Sequence, residues 1–171
     1  MSSTDLFKNT VSVRKFSQKP VEEEHVKALT SAIKGCFSMD NRQPWKVIIV
    51  RDEQLKKSIA SACSNGKGFL EAPLAVVVCG LPDEAYPTLG GFINSYTVDA
   101  GILIERISSV AKHLGMQTDW VYVFKEEKIK EIIRAPEEAR VVSLTPLGIA
   151  DEISALPPAK QLHEIVAFDH F

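Results

Sequence analysis

Eight consecutive residues, Ser38-Met39-Asp40-Asn41-Arg42-Gln43-Pro44-Trp45, set a hydroxyl, two amides, a guanidinium and an indole directly ahead of the apolar run Val47-Ile48-Ile49-Val50. A loop that only connects needs turn formers, whereas this one adds a dense set of directional hydrogen-bonding groups, which makes it a candidate site. The plainer alternative is that Asn41 closes a turn and Trp45 belongs to the core. No motif for covalent or phosphate chemistry accompanies it: GxGxxG, a Walker loop, GxSxG and HExxH are all absent. Cys36, Cys63 and Cys79 lack CxxC spacing, and His25, His113, His163 and His170 form no ligand pair at helical spacing, so neither a disulfide scaffold nor a metal site is expected. If this chain is an enzyme, a bound cofactor carries the chemistry.

The elements that position such a site must come from 171 residues, enough for one domain that buries roughly 70 % of its unfolded surface. The composition, 45% hydrophobic and 25% charged with a formal net charge of -2, gives no field that would recruit nucleic acid or an anionic membrane. The N-terminal residues Met1-Ser2-Ser3-Thr4-Asp5 lack a basic region followed by an apolar one, and no run approaches the ~20 apolar residues that span a bilayer. The expectation is a cytoplasmic protein with reduced thiols.

Periodicity then places the elements. After Pro20, the acidic turn Glu22-Glu23-Glu24 and the spacing of Val26, Leu29 and Ile33 predict a helix that Gly35 stops. Trp45 to Val50 and Leu74 to Gly80 read as buried strands, with a helix from Asp52 to Ser64 between them. From Tyr96 to Leu114 the apolar residues Ala100, Leu103, Ile104, Ile107, Ala111 and Leu114 recur at offsets of three and four, and Val98, Ile102 and Val110 widen that stripe. A helix apolar on more than one side is central in its domain or shared with a second subunit. Residues 118–124 read as a strand, 125–135 as a solvated helix, and 140–150 as a last core strand broken near Pro146. The remainder, with Pro157-Pro158, reads as an extended arm that needs something to lie on. Helices interspersed with near-continuous apolar strands favour a sheet covered on both faces.

In order and spacing, "SVRKFSQKPV", "NRQPWKVIIV", "LEAPLAVVV", "KHLGMQTDW", "PLGIA" and "LHEIVAFDHF" resemble the FMN-dependent nitroreductase family, of which this chain looks like a short member. The match spans essentially the whole sequence. It implies an α+β fold with a mixed central sheet flanked by helices in three α/β/α layers. It also implies an intertwined homodimer packed along the long helices, with residues 156–171 as an arm on the partner subunit. FMN would lie at the dimer interface, lined by both subunits.

The resemblance also assigns residues. Thr10, Ser12 and Arg14 occupy the places that hold the FMN phosphate and ribityl chain, with Thr10 where the family has a basic residue. Alternation along an extended segment would put all three on one side, and arginine offers a bidentate fork. Ser38, Asn41 and Gln43 match the loop that meets the flavin, whose edge of carbonyls and ring nitrogens needs donors and acceptors together. Phe37 stands where the family usually has Pro. Asn65 matches a position on the pyrimidine side and Lys67 lies near a frequently basic place, although "SNGKG" also reads as a surface turn. Gly148 and Lys160 complete the cofactor-binding set. The backbone of Tyr122 and Val123 falls where the family faces flavin N5, commonly through a Gly that allows close approach.

The activity implied is ping-pong: hydride passes from NADH or NADPH to flavin N5, and a nitroaromatic or quinone-like acceptor is then reduced at the same position. No side chain serves as nucleophile or general acid, in keeping with the missing triads. The competing reading is a flavin-binding protein without reductase turnover, a redox sensor or FMN carrier, which Thr10 and Val123 favour.

Overall fold

The computed structural model describes residues 11–171, so Thr10 lies outside the described residues. Four strands form the central sheet in the order β2 (Trp45–Val50), β3 (Leu74–Gly80), β5 (Arg140–Gly148) and β4 (Gln117–Thr118). Every pair in it is antiparallel, so the mixed character expected of the sheet is not supplied by these strands. β3 lies between β2 and β5 and is buried along its whole length, as its unbroken apolar run requires.

The two faces of β3 divide by the two-residue period of a strand. Val76 and Val78 meet Leu29 of α1 (Glu23–Lys34) and Leu103 and Ile107 of α4 (Tyr96–His113). Ala75, Val77 and Cys79 meet Ile59 of α2 (Glu53–Ala62) and Ile129 of α5 (Glu126–Ile133). This is the helix-covered α+β architecture expected from the sequence. The first helix ends with Gly35 at its C-cap, and α2 opens on Asp52, whose carboxylate accepts the Leu55 N–H at 2.8 Å. Lys56 of α2 is buried, and its ammonium donates to the carbonyl of Ala72 at 2.6 Å and pairs with Glu53 at 2.8 Å. Ala72 is the C-cap of the short α3 (Lys67–Glu71).

Three sequence expectations are corrected. The stretch 118–124 is not a continuous strand: β4 ends at Thr118, the Asp119 N–H turns to the Thr145 hydroxyl at 2.8 Å, and only isolated bridges remain at Val121 and Phe124. β5 is not broken at Pro146. Leu144 exchanges hydrogen bonds with Val121, so two residues on, the Pro146 nitrogen faces that same side, where the chain has already left the ladder, and no bond to β3 is lost. The helix α5 is solvated on one side only, since Ile129 and Lys130 are buried and Ile132 and Ile133 pack on the second core.

A second, two-stranded sheet joins β1 (Val11–Phe16) to β6 (Ala150–Ala155). Beyond β6, residues 156–171 are exposed throughout, including Leu162, Ile165, Phe168 and Phe171, and contain one short helix, α6 (Leu162–Ile165). Among the described residues no helix is long and apolar enough to cross a membrane.

Candidate functional site

The residues singled out by sequence fall into two groups. Ser12 and Arg14 stand on β1, whose ladder with β6 slips between Val13 and Lys15 and leaves Arg14 without a register partner. Such a bulge turns a side chain away from strict alternation, and here it restores burial at Phe16 after Val13 while Arg14 and Lys15 face outward. The exposed Arg14 donates from Nε to Ser154 Oγ at 2.8 Å, and Ser12 donates to Asp119 Oδ1 at 3.4 Å. Burial pushes the Asp119 carboxyl above the usual carboxylate range, against the Val13 N–H, the Ser12 hydroxyl and the Arg14 charge.

Around them gather Gly148, Lys67 and the Tyr122-Val123 segment. Gly148 closes β5, and a Cβ there would sit 2.7 Å from Pro73 Cδ, so packing against that ring requires the glycine. Lys67 pairs with Glu71 at 3.3 Å, and Glu71 accepts the Phe16 N–H at 3.1 Å, which ties α3 to the end of β1. The Val123 carbonyl accepts both the N–H and the hydroxyl of Ser64 at 3.0 Å, placing Asn65 beside it. Asn65, Tyr122 and Val123 are exposed. Lys160 lies on the exposed arm and makes no hydrogen bond or ion pair with the described residues.

Ser38, Asn41 and Gln43 are elsewhere. Their loop leads into Trp45, which pairs with Gly80, whereas Gly148 follows Leu147, which pairs with Leu74. The two groups are therefore separated by the length of β3, about 20 Å at roughly 3.4 Å per residue. The loop is held in an uncommon conformation, with Asp40, Asn41 and Gln43 at φ of 51°, 53° and 50°. Three bonds hold it. The buried Ser38 hydroxyl accepts the Gln43 N–H at 2.8 Å, the buried Asp99 carboxylate accepts the Met39 N–H at 2.9 Å, and the Gln43 amide donates to the Lys34 carbonyl at 2.7 Å. Gln43 thus spends its amide inside the loop, and Asn41 is the exposed amide. Arg42 donates to the Ala85 carbonyl at 3.0 Å and lies 5.6 Å from the centre of the Tyr86 ring. Trp45 packs against the first core, as the plainer reading of that residue held.

Asp99 and Asp119 were not picked out by sequence. The one signal for Asp99 is an acid beside the apolar stripe of α4, where it is 1% exposed with Oδ2 unpartnered.

The donor chemistry of the first group, a guanidinium and a hydroxyl on one strand with an ammonium and an amide nearby, fits a phosphate-bearing ligand; the loop amide fits the edge of a polar ring. Comparisons with known proteins give the family. The family model described as "Nitroreductase family" matches residues 8–87. A relative from Archaeoglobus fulgidus, whose name pairs NADH dehydrogenase with NAD(P)H nitroreductase, is 30% identical over 80% of this chain and 79% of its own length. A solved nitroreductase family protein from Clostridium novyi is 30% identical with a TM-score of 0.83, covering 89% of this chain and 87% of that one. An "FMN-dependent Nitroreductase" from Clostridium difficile has a TM-score of 0.82 at 22% identity, covering 97% of this chain and 98% of that one. On the strength of sequence and fold together, this chain belongs to the nitroreductase family of oxidoreductases.

Proposed function

We propose that this oxidoreductase is an FMN-dependent enzyme that oxidises NADH or NADPH and reduces nitroaromatic or quinone-like acceptors, and that it works as a homodimer. The observation that carries the reading is the placement of the Ser12–Arg14 group and the Asn41 loop at opposite ends of β3. One copy cannot close both around a single flavin, whereas two copies can each lend a loop to the other's strand. Two features support the second copy: an open groove of about 790 Å³ along α4, lined by Val98, Gly101, Ile102 and Val110, and an arm whose apolar residues face solvent in one chain. In this reading 1–171 is a single flavin-binding domain, and 156–171 lies on the second copy.

The chemistry FMN supplies when bound is hydride transfer through N5. The chain's own residues bind and orient. Arg14 offers charged donors to a phosphate and Ser12 a neutral one, with Lys67, Lys160 and Asn65 as further contacts. Thr10 precedes that strand and belongs to the same proposed set. Asn41 presents an amide that can both give and accept at a ring edge, while Ser38, Gln43 and Asp99 keep its backbone in the left-handed region. Tyr122 and Val123, anchored through Ser64, are the backbone offered to the reacting edge, with Gly148 packing behind on Pro73. No proton donor or nucleophile is required of the protein, so orientation accounts for its part in the rate.

Anaerobic stopped-flow spectroscopy of FMN-loaded protein tests this. Excess NADH or NADPH should bleach the flavin absorbance, and a quinone or nitroaromatic should restore it. Colour that persists with both nicotinamides would overturn the enzyme reading in favour of a carrier or sensor.

A further inference from the structure

Asp119 places an acid beside the hydroxyl assigned above to phosphate. Ser12 donates to its Oδ1 at 3.4 Å, while the Asp119 N–H is fixed by the Thr145 hydroxyl, which itself donates to the Pro146 carbonyl at 2.7 Å. The carboxylate is thus held where it is from β5, half-buried, against β1. A serine hydroxyl has one proton, which cannot be given to Asp119 and to a phosphate at once. An ionised Asp119 would also set a second negative charge beside the incoming one. Protonating the carboxyl removes both conflicts: its O–H can donate to Ser12 Oγ, and the Ser12 proton is then released toward the phosphate.

We propose that Asp119 takes up one proton when the site binds a phosphorylated flavin, and that this residue thereby sets how strongly FMN is preferred to riboflavin. The inference rests on the reading of Ser12 and Arg14 as phosphate contacts. One proton moves from solvent to Asp119, the Ser12–Asp119 hydrogen bond reverses, and no other covalent bond changes. The groups that face Asp119 act in both directions on its proton. From β1, Arg14 favours the carboxylate, while burial, the larger influence, opposes it. From α4, Glu105 and Lys112 line the same cavity of about 420 Å³ with opposite signs, and Tyr122 lines it from the segment of Asp119 itself. Thr145 from β5 is uncharged, as is Ser154 of β6, the register partner of Ser12.

Because burial raises this carboxyl in the folded chain, the group contributes stability below its unfolded value, near pH 4, that is lost as pH rises through the folded value. Asp119→Asn is therefore expected to fold at least as well near neutral pH. The test is the ratio of FMN to riboflavin affinity, by fluorescence titration of apoprotein, between about pH 5.5 and about pH 7.5, a window that also contains the phosphate's own ionisation near pH 6. The Asn variant retains the phosphate contribution and lacks the acid. We expect the ratio in the parent to fall by roughly threefold to tenfold more than in Asp119→Asn over this window. Ratios that fall in parallel would overturn the role of Asp119, as would an Asn variant that weakens riboflavin as much as FMN. FMN no tighter than riboflavin at any pH, in either protein, would instead defeat the phosphate contacts themselves and the inference with them. Calorimetry of the unmodified protein in two buffers of different ionisation enthalpy gives an independent reading at about pH 7.5, where the phosphate is already a dianion. Net proton uptake with FMN and none with riboflavin is the expected result, and no uptake with either overturns the proposal.

Discussion

The loop that carries Asn41 is fastened from three directions, by Ser38 within it, by Asp99 on α4 and by the end of α1, whereas the strand that carries Arg14 is paired along one edge only. The loop spends polar side chains on holding three residues in a left-handed backbone, so its shape is set before any ligand arrives. The strand leaves its charged side chain outside, on a bulge, beside an acid. In the proposed flavin site, a preformed loop would meet the rigid ring and a less constrained strand the flexible phosphate tail, dividing the binding task by the stiffness of the ligand's own parts.

If this contrast is sound, damage to the loop should cost fold, and damage to the strand should cost affinity. The largest effect is expected at Arg14→Ala, which should weaken FMN by about 1.5 to 3 kcal/mol, leave riboflavin nearly unchanged and leave the melting temperature in place. An equal loss for riboflavin would assign Arg14 to the fold. At Asp99→Ala the half-buried Met39 N–H loses its charged acceptor, and chemical denaturation should show a loss of about 1 to 3 kcal/mol, while Asp99→Asn, which keeps an acceptor, should lose much less. Equal losses in the two would mean that the charge at the start of α4 matters more than the bond to the loop.

The thiols sharpen the same contrast. Burial raises Cys36, beneath the loop, and pushes Cys63 up to about 11, so little thiolate exists at mildly alkaline pH and iodoacetamide should label both slowly. Asp99→Ala should speed labelling of Cys36 and not of Cys63; a parallel rise would point to global unfolding. The smallest effect is at Val123→Gly, where the exposed side chain contributes little to stability and FMN affinity should barely change, while hydride transfer measured by stopped flow should quicken as approach to the backbone opens. A slower variant would remove this segment from the reacting edge.

Much of the scaffold was legible because its signals are local. The spacing in α4, the Asp52 cap and the apolar run of β3 each state their own geometry in a few residues. The losses came where one residue answers to a distant one. Residues 119–123 have strand-like side chains, yet the Asp119 amide is claimed by a hydroxyl from β5. Pro146 reads as a breaker until the neighbour on its nitrogen side is known to have left. The site shows the same limit: Gln43 has the right chemistry to meet a ligand, but residue type does not reveal that its amide turns back to Lys34. Asp119 escaped notice for the converse reason, since one acid in a polar segment carries no signal until Ser12, far away in sequence, is laid beside it.

The lysine sealed beneath α3 has a consequence for the chain's surface chemistry. Lys56 joins α2 to the carbonyl that ends α3, with its ammonium shut away from water. An amine-selective acylating reagent needs an accessible, unprotonated nitrogen. Exhaustive acylation of the native chain should therefore leave this amine unmodified while exposed lysines such as Lys46 and Lys160 react. Its appearance among the labelled sites would mark the moment at which α2 and α3 part, an internal timer for the loss of native structure that needs no flavin to read.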